Sequence, residues 1–312
     1  MIVTATFVLS LDLEMAWGSW RGVPFERDAF AAEPEVARRL DAVAVELRTP
    51  FTWAVVGAIE GLCESDLAEF DQESPVNAAF GDSWRAPEIP TVGLVRQDPS
   101  AWLSPGLIPE LAASSARHEI ASHTFFHGLP PTRREMTIDL DRHSKAVAGM
   151  GATTLVFPGD RIDPTVVAGT AISCYRGLVN RPWFRPHGRP RGFGKVIHLL
   201  EQGLGISAPL ATVQCGNPIV LGSSAILTLR YGMRRKLPTA LMRRRLRASI
   251  DRAIASNGIF HLWTHPWNLA LHGSDAFDLL AEALQVVASR RDLGDIEVLT
   301  MADVARRACS TP

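Results

Sequence analysis

The sequence predicts an α/β protein whose parallel strands close into a barrel-like sheet, and three observations carry that expectation. Short β-rich runs alternate with amphipathic stretches of helical period along most of the chain. Residues able to do chemistry stand where several of those runs stop, the place where rim residues of a barrel do their work. Finally, 312 residues with 46% hydrophobic side chains can bury one barrel-sized core. Length alone leaves two smaller domains open, and the alternation favours one unit over 1–312.

Taken in order, residues 3–11 read as a strand, 33–47 as a helix and 51–56 as a second strand. The apolar N-terminal stretch has no basic region before it and runs straight into Asp12 and Glu14, so it reads as a strand rather than an export signal. Further strands are expected at 119–122, 154–157, 258–263 and 297–300, with a helix at 276–290. Two regions break the rhythm. Residues 71–109 are rich in Pro, Trp and acids, and 164–257 hold a Pro/Gly/Arg stretch at 181–194 followed by a basic segment. Both are expected to be long rim insertions that shape a substrate cleft.

Charge and cysteine usage exclude several classes. Lys+Arg 32 against Asp+Glu 33 leave no global basic field of the kind a non-specific nucleic-acid binder uses. No segment offers about 18 uninterrupted apolar residues, so a membrane span is not expected. Cys63, Cys174, Cys215 and Cys309 are scattered and form no C-x-x-C pair, which argues against a disulfide framework or thiolate zinc site and for small buried side chains in a reducing, cytoplasmic setting.

Three clusters carry chemistry. In His123-Thr124-Phe125-Phe126-His127, two imidazoles four residues apart face the same way if the turn is helical, and can share one metal. Taken alone, two hydrogen-bonded histidines at a helix start explain the pair as well. A zinc metalloprotease would need Glu after the first histidine, where Thr124 stands. In Ser10-Leu11-Asp12-Leu13-Glu14, period-two geometry places both carboxylates on one face. Side by side they repel, unless a cation lies between them or the strand end is simply solvated. The third cluster, 258–268, is an apolar strand that passes a core histidine, His261, and delivers His265 just before Pro266, where a general acid could stand. Trp263 and Asn268 flank it as candidates for binding substrate or orienting the site.

In order and spacing, these residues resemble the polysaccharide deacetylases, carbohydrate esterase family 4 with the NodB homology domain. Residues 10–14 look like the acidic first motif, 123–127 like H-[ST]-x-x-H, and Leu262-Trp263-Thr264-His265 like the late L-x-x-H. The resemblance implies a distorted (β/α) barrel. It further implies a divalent metal, zinc in many relatives, held by Glu14, His123 and His127, with Asp12 as base and His265 as acid. Two departures stand out. Relatives commonly carry a second Asp where this chain has Glu14, though an Asp-x-Glu subgroup is similar. In Phe157-Pro158-Gly159-Asp160-Arg161, Gly159 takes the place of the arginine that orients the base. Arg161 is expected to fold back to Asp12 in its stead, with Asp160 turning inward as the rival and Arg176, Arg181 or Arg185 in reserve.

The implied activity is removal of an N-acyl group, acetyl above all, from a nucleotide-linked, lipid-linked or free amino sugar. The basic segment 230–247 could attract phosphate or an anionic membrane surface, or be a helix face paired with acids. A non-catalytic carbohydrate-binding relative and a membrane-surface accessory protein are the competing functions. Nucleic acid has no supporting motif, and the oligomeric state is not legible.

Overall fold

The computed structural model describes residues 4–18, 25–61, 92–130, 132–147, 149–179, 204–228, 238–271 and 274–309. Its centre is strand β1 (Ala5–Leu13), nine residues buried without exception. A strand buried on both faces reads as a nearly continuous apolar run, which is why residues 5–13 could be recognised from sequence. Around it lie β2 (Thr52–Val55), β3 (Glu119–Ser122), β4 (Thr154–Leu155), β5 (Cys174–Gly177), β6 (Val213–Gln214), β7 (Ile219–Gly222), β8 (Ala225–Ile226), β9 (Ile259–Thr264) and β10 (Ile296–Val298). They form one sheet in the order β6-β7-β5-β4-β3-β2-β1-β9-β8, with β10 beside the start of β1. Every described pairing is parallel except β6 with β7.

The curled sheet closes through one stretch of chain. β7 pairs with β5, β8 pairs with β9, and only Ser223 and Ser224 separate β7 from β8. Ser223 N donates to Gly177 O and Ser224 N to His261 O. A single segment therefore satisfies both open edges, as closure of a twisted sheet requires.

Helices cover the outside: α1 (Arg27–Leu47), α2 (Val92–Gln97), α3 (Leu107–Ala112), α4 (Arg133–Ala146), α5 (Thr239–Ala255), α6 (Pro266–Leu271), α7 (Ser274–Asp292) and α8 (Met301–Cys309). The outward side chains of β1, Leu9, Leu11 and Leu13, join the layer that packs on α1 and α7. Its inward side chains alternate with them, and Val8 meets Ala54, Ala121, Val156, Ile219 and Ile259 in the barrel interior. Met301, Val304 and Ala305 of α8 close this layer from below. The first amides of α8 are capped by Thr52 and Glu119 of the barrel itself, at 2.9 and 3.0 Å. One mouth is thus plugged, and chemistry is left to the end where the strands stop.

The region 164–257, expected as an insertion, instead supplies β5, β7 and β8 to the sheet and α5 to its cover. Those strands are two to four residues long, and Arg176, Gly177 and Gly222 break the apolar pattern of β5 and β7, so pairing with neighbours rather than local propensity makes them strands. Residues 180–203 and 229–237 of that region, with Arg181 and Arg185, lie outside the described residues, as do 71–91 of the other. Within 92–109 the expected short helices are present. Cys174 is buried and unbonded as expected, whereas Cys215 is exposed. Of the basic segment, Arg243 pairs with Glu282 on α7 at 2.5 and 3.0 Å, and Arg245 is buried. No helix among the described residues is long and apolar enough to cross a membrane.

Candidate metal centre

Period-two geometry carries Ser10 and Asp12 up the barrel interior above Val8, and Glu14 stands just beyond the strand. Glu14 is 2% exposed. Its Oε2 lies 3.4 Å from Nε2 of His123 and 3.0 Å from Nε2 of His127, and its Oε1 lies 3.5 Å from Nε2 of His265. Trp267 Nε1 donates to Oε1 at 3.2 Å. Burial alone would raise the Glu14 carboxyl, but the surrounding imidazoles hold it well below the usual carboxylate range.

The two histidines converge through a loop, not through the helical turn that spacing suggested. β3 ends at Ser122; His123 N still donates to Val55 O at 2.8 Å, then the chain turns with Thr124 (φ 64°) and His127 (φ 59°) in the left-handed region. Non-glycine residues rarely sit there, and the loop is held by added bonds. Asp139 of α4 accepts Phe125 N–H with both oxygens at 3.0 Å, while Gly57 N and Ala58 N donate to Thr124 O and Phe125 O. Burial pushes the Asp139 carboxyl up to about 7. His123 Nδ1 donates to Val156 O at 2.8 Å, which fixes its tautomer and leaves Nε2 facing Glu14.

Glu14, His123 and His127 each present a ligand atom within 4.8 Å of the others. The buried Nε2 of His127 has no hydrogen-bond partner, although it stands at ion-pair distance from Glu14. Burial pushes the His127 imidazole down, toward the neutral form a metal binds. One carboxylate and two imidazoles, with an unsatisfied nitrogen aimed inward, fit a divalent cation with open coordination positions.

Asp12 and His265 flank this centre. Asp12 is buried, and Arg176 of β5 binds it through two parallel bonds of 2.6 Å. Burial opposes ionisation, but the guanidinium holds the Asp12 carboxyl low. The role expected of Arg161 is therefore filled by Arg176. Immediately after Pro158, Gly159 (φ 60°) and Asp160 (φ 56°) turn the chain through the left-handed region, and Asp160 lies among the charges of the site. Burial raises the Asp160 carboxyl, with Arg176 opposing and Asp12 adding to the rise. His265, just past β9, points Nε2 toward Asp12 Oδ2 at 3.8 Å, and its Nδ1 lies 3.3 Å from Asn268 Nδ2. An amide can serve either protonation state of Nδ1 by presenting nitrogen or oxygen. Trp263 lies under Arg176, with the guanidinium carbon 4.1 Å from the ring centroid.

Arg176, held in reserve in the sequence, is a cation inside an apolar strand, a visible anomaly that only the sheet order connects to Asp12. Two residues were not singled out in the sequence. Glu33 is fully buried on the apolar face of α1, and its Oε2 accepts Met15 N–H at 2.5 Å, bracing the turn after Glu14. Burial, then the Glu14 charge, pushes Glu33 well above the carboxylate range. Its spacing from Phe30 and Ala37 on that face was the available signal. Gly18 sits against the Glu14 carboxylate, where a Cβ would meet Oε2 at 2.1 Å.

No protein-family model matches the sequence, and a search of curated proteins finds no match. Solved structures share the fold. A Mycobacterium smegmatis protein assigned as a polysaccharide deacetylase superposes with a TM-score of 0.59 at 15% identity, over 97% of this chain and 90% of its own. An α-amylase from Thermotoga maritima gives 0.56 at 8% identity, over 97% and 74%. A GH57 branching enzyme from Thermococcus kodakaraensis gives 0.54 at 10% identity, over 100% and 72%.

Proposed function

We propose that this chain, which has the curled (β/α) barrel fold of the polysaccharide deacetylases, is a metal-dependent hydrolase that removes an N-acyl group, acetyl in the first instance, from an amino sugar. The observation that carries the reading is the convergence of Glu14, His123 and His127 between a carboxylate clamped by arginine and a histidine at the rim. When bound there, a divalent cation, zinc by the donor set, supplies a Lewis acid that polarises an acyl oxygen and acidifies water. The rest falls to the chain's own groups. Asp12, ionised and held by Arg176, takes the proton of the attacking water on the oxygen lone pairs that Arg176 leaves free. His265 gives a proton from Nε2 to the departing nitrogen, with Asn268 steadying the ring. The proposed substrate is an intracellular amino sugar, free or carried on a nucleotide or lipid.

The fold also occurs in the α-amylase and the branching enzyme above, so a glycoside hydrolase is the second reading. Such chemistry commonly needs a carboxyl kept protonated as acid beside an ionised partner. The carboxyl that burial raises here is Asp160, near an Asp12 that is held low, and the second reading rests on that pair; the convergence of Glu14 with two imidazoles, which glycoside cleavage does not call for, favours the deacylase. The test is acetate release from N-acetylglucosamine, its β-1,4 oligomers and UDP-N-acetylglucosamine by enzyme loaded with zinc, cobalt or manganese. Release that chelator abolishes and metal restores supports the reading. Stoichiometric metal with no acyl release from any of these overturns it in favour of a non-catalytic binder.

A further inference from the structure

Below the metal centre, the barrel interior holds a polar layer of which the proposed reaction uses only Arg176. Ser10, His261 and Arg176 come from β1, β9 and β5; Ser10 and His261 are fully buried and Arg176 is 4% exposed. His261 Nδ1 lies 2.9 Å from Gly222 O, His261 Nε2 lies 2.9 Å from Ser10 Oγ, and Arg176 Nη1 donates to Ser10 Oγ at 3.2 Å. The directions of these bonds are forced. A carbonyl only accepts, so Nδ1 carries the hydrogen and Nε2 is the acceptor. Ser10 must then donate its hydroxyl hydrogen to Nε2, which turns an oxygen lone pair toward Arg176. Arg176 Nη1 has two hydrogens; one goes to Asp12 Oδ1 and the other needs an acceptor in a water-poor interior.

Resting on the proposed deacylase reading, we infer that Ser10 and neutral His261 are positioning residues that hold Arg176 in register with Asp12. His261 acts as a fixed acceptor three hydrogen bonds removed from the base. A protonated ring would donate to Ser10, whose Oγ would then accept from both the ring and Arg176 while its own hydrogen lost its acceptor in the buried layer. Burial and the nearby Arg176 charge push His261 down to about 3, in keeping with a permanently neutral ring. Gly222, the terminus of the relay, is also where β7 gives way to β8, so the base is tied to the closure of the barrel. A histidine that merely fills the interior would be hydrogen-bonded too, but would have no influence on turnover.

Two measurements separate these roles. In zinc-loaded protein labelled with [15N]-histidine and assigned with His261→Gln, His261 is expected as the Nδ1–H tautomer throughout pH 5.5–8. In Ser10→Ala, its Nε2 resonance should move to the position of an acceptor without a donor. Any Nε2–H form in the native protein overturns the inference whether or not the enzyme turns over. With N-acetylglucosamine oligomers as substrate, Ser10→Ala should keep full metal content and KM but lower kcat about tenfold, the worth of one buried hydrogen bond. Ser10→Thr, which keeps the hydroxyl, should restore most of it. Coupling is the decisive arm: in an Arg176→Lys background, Ser10→Ala should cost less than twofold, because the partner it holds is already lost. A tenfold cost in both backgrounds would make Ser10 independent of Arg176 and overturn the inference. Absence of turnover in the native protein overturns the deacylase reading and with it the catalytic consequence, while the tautomer result still decides the hydrogen-bond relay.

Discussion

Replacing Gly18 by alanine should disable the metal centre through a single methyl group. The added Cβ would stand 2.1 Å from Oε2, 2.2 Å from Cδ and 2.5 Å from Oε1 of Glu14. Ordinary carbon–oxygen contacts are near 3.4 Å, so the carboxylate must retreat by about 1.3 Å. It has little room, because His123, His127, His265 and Trp267 surround it and its residue is 2% exposed. A displacement of that size in a ligand is expected to cost ~10–100-fold in metal affinity and ~100-fold in kcat/KM. Glu14→Asp shortens the arm by one methylene, roughly 1.5 Å, and vacates the contested space. Metal affinity is measured by competition with a chromophoric chelator for native protein, each single variant and the double variant. Gly18→Ala should be costly beside Glu14 and nearly silent beside Asp, a coupling of roughly 2 kcal/mol. An affinity within twofold of native in Gly18→Ala, or an equal loss in both backgrounds, would refute the placement of Glu14 as a ligand.

Arg176→Lys should lower kcat/KM ~100-fold with metal retained, since an ammonium cannot make two parallel bonds, whereas Arg161→Ala should stay within about threefold. Loss of Asp139 (Asp139→Ala) frees the Phe125 amide and should cost about 1–3 kcal/mol in denaturant unfolding and ~10–100-fold in metal affinity. Adding zinc at 100 times its Kd to stripped protein should raise stability by about 2.7 kcal/mol, read as a higher Tm, and chelation should reverse it. Burial holds His143 down to about 4, so the unfolded chain takes up a proton there that the folded chain refuses. Its stabilising contribution is complete above about pH 6.5 and declines by about 1.4 kcal/mol per unit as pH falls to 4. In His143→Gln, the slope of unfolding free energy against pH should flatten by that amount over this window.

The sequence revealed β1, β2, β3, β4, β9 and β10, and of these β1, β2 and β9 are mostly apolar and buried along nearly their whole length. β5 and β7 escaped because Arg176, Gly177 and Gly222 break their apolar pattern, and β8 because it is two residues long, so that their regularity exists only in the ladder. The same distinction governs the site. Asp12, Glu14, His123, His127 and His265 could be read from spacing within short segments, and the structure brings them together. Arg176 lies 164 residues from Asp12 in sequence, so its pairing is a product of sheet order rather than spacing. Just after β4, Gly159 and Asp160 turn the chain through two successive left-handed residues, a break in the strand that spacing alone does not reveal. Gly18 is silent in sequence, since its function is the volume it leaves to Glu14.

The barrel interior changes character in steps. Next to α8 it is lined by Val8, Ala54, Ala121, Val156, Ile219 and Ile259, with Thr52 and Glu119 turned to cap the helix. One side-chain layer up it becomes a satisfied polar network of Ser10, His261 and Arg176, and above that come the carboxylates and imidazoles. Along β1 the sequence Val8, Ser10, Asp12 spells this gradient in alternate residues, because each step of two moves one layer toward the rim. The order has an electrostatic reason. A buried arginine is tolerated where its donors are met, and the serine layer meets one of those that Asp12 leaves over. Asp12, in turn, can stay ionised beside a metal centre because its partner cannot lose its proton. A fold shared with an α-amylase and a branching enzyme therefore does not choose the reaction. The choice lies with which charges the upper two layers carry, and here these are Arg176, three histidines, Asp12 and Glu14, with Asp160 beside them.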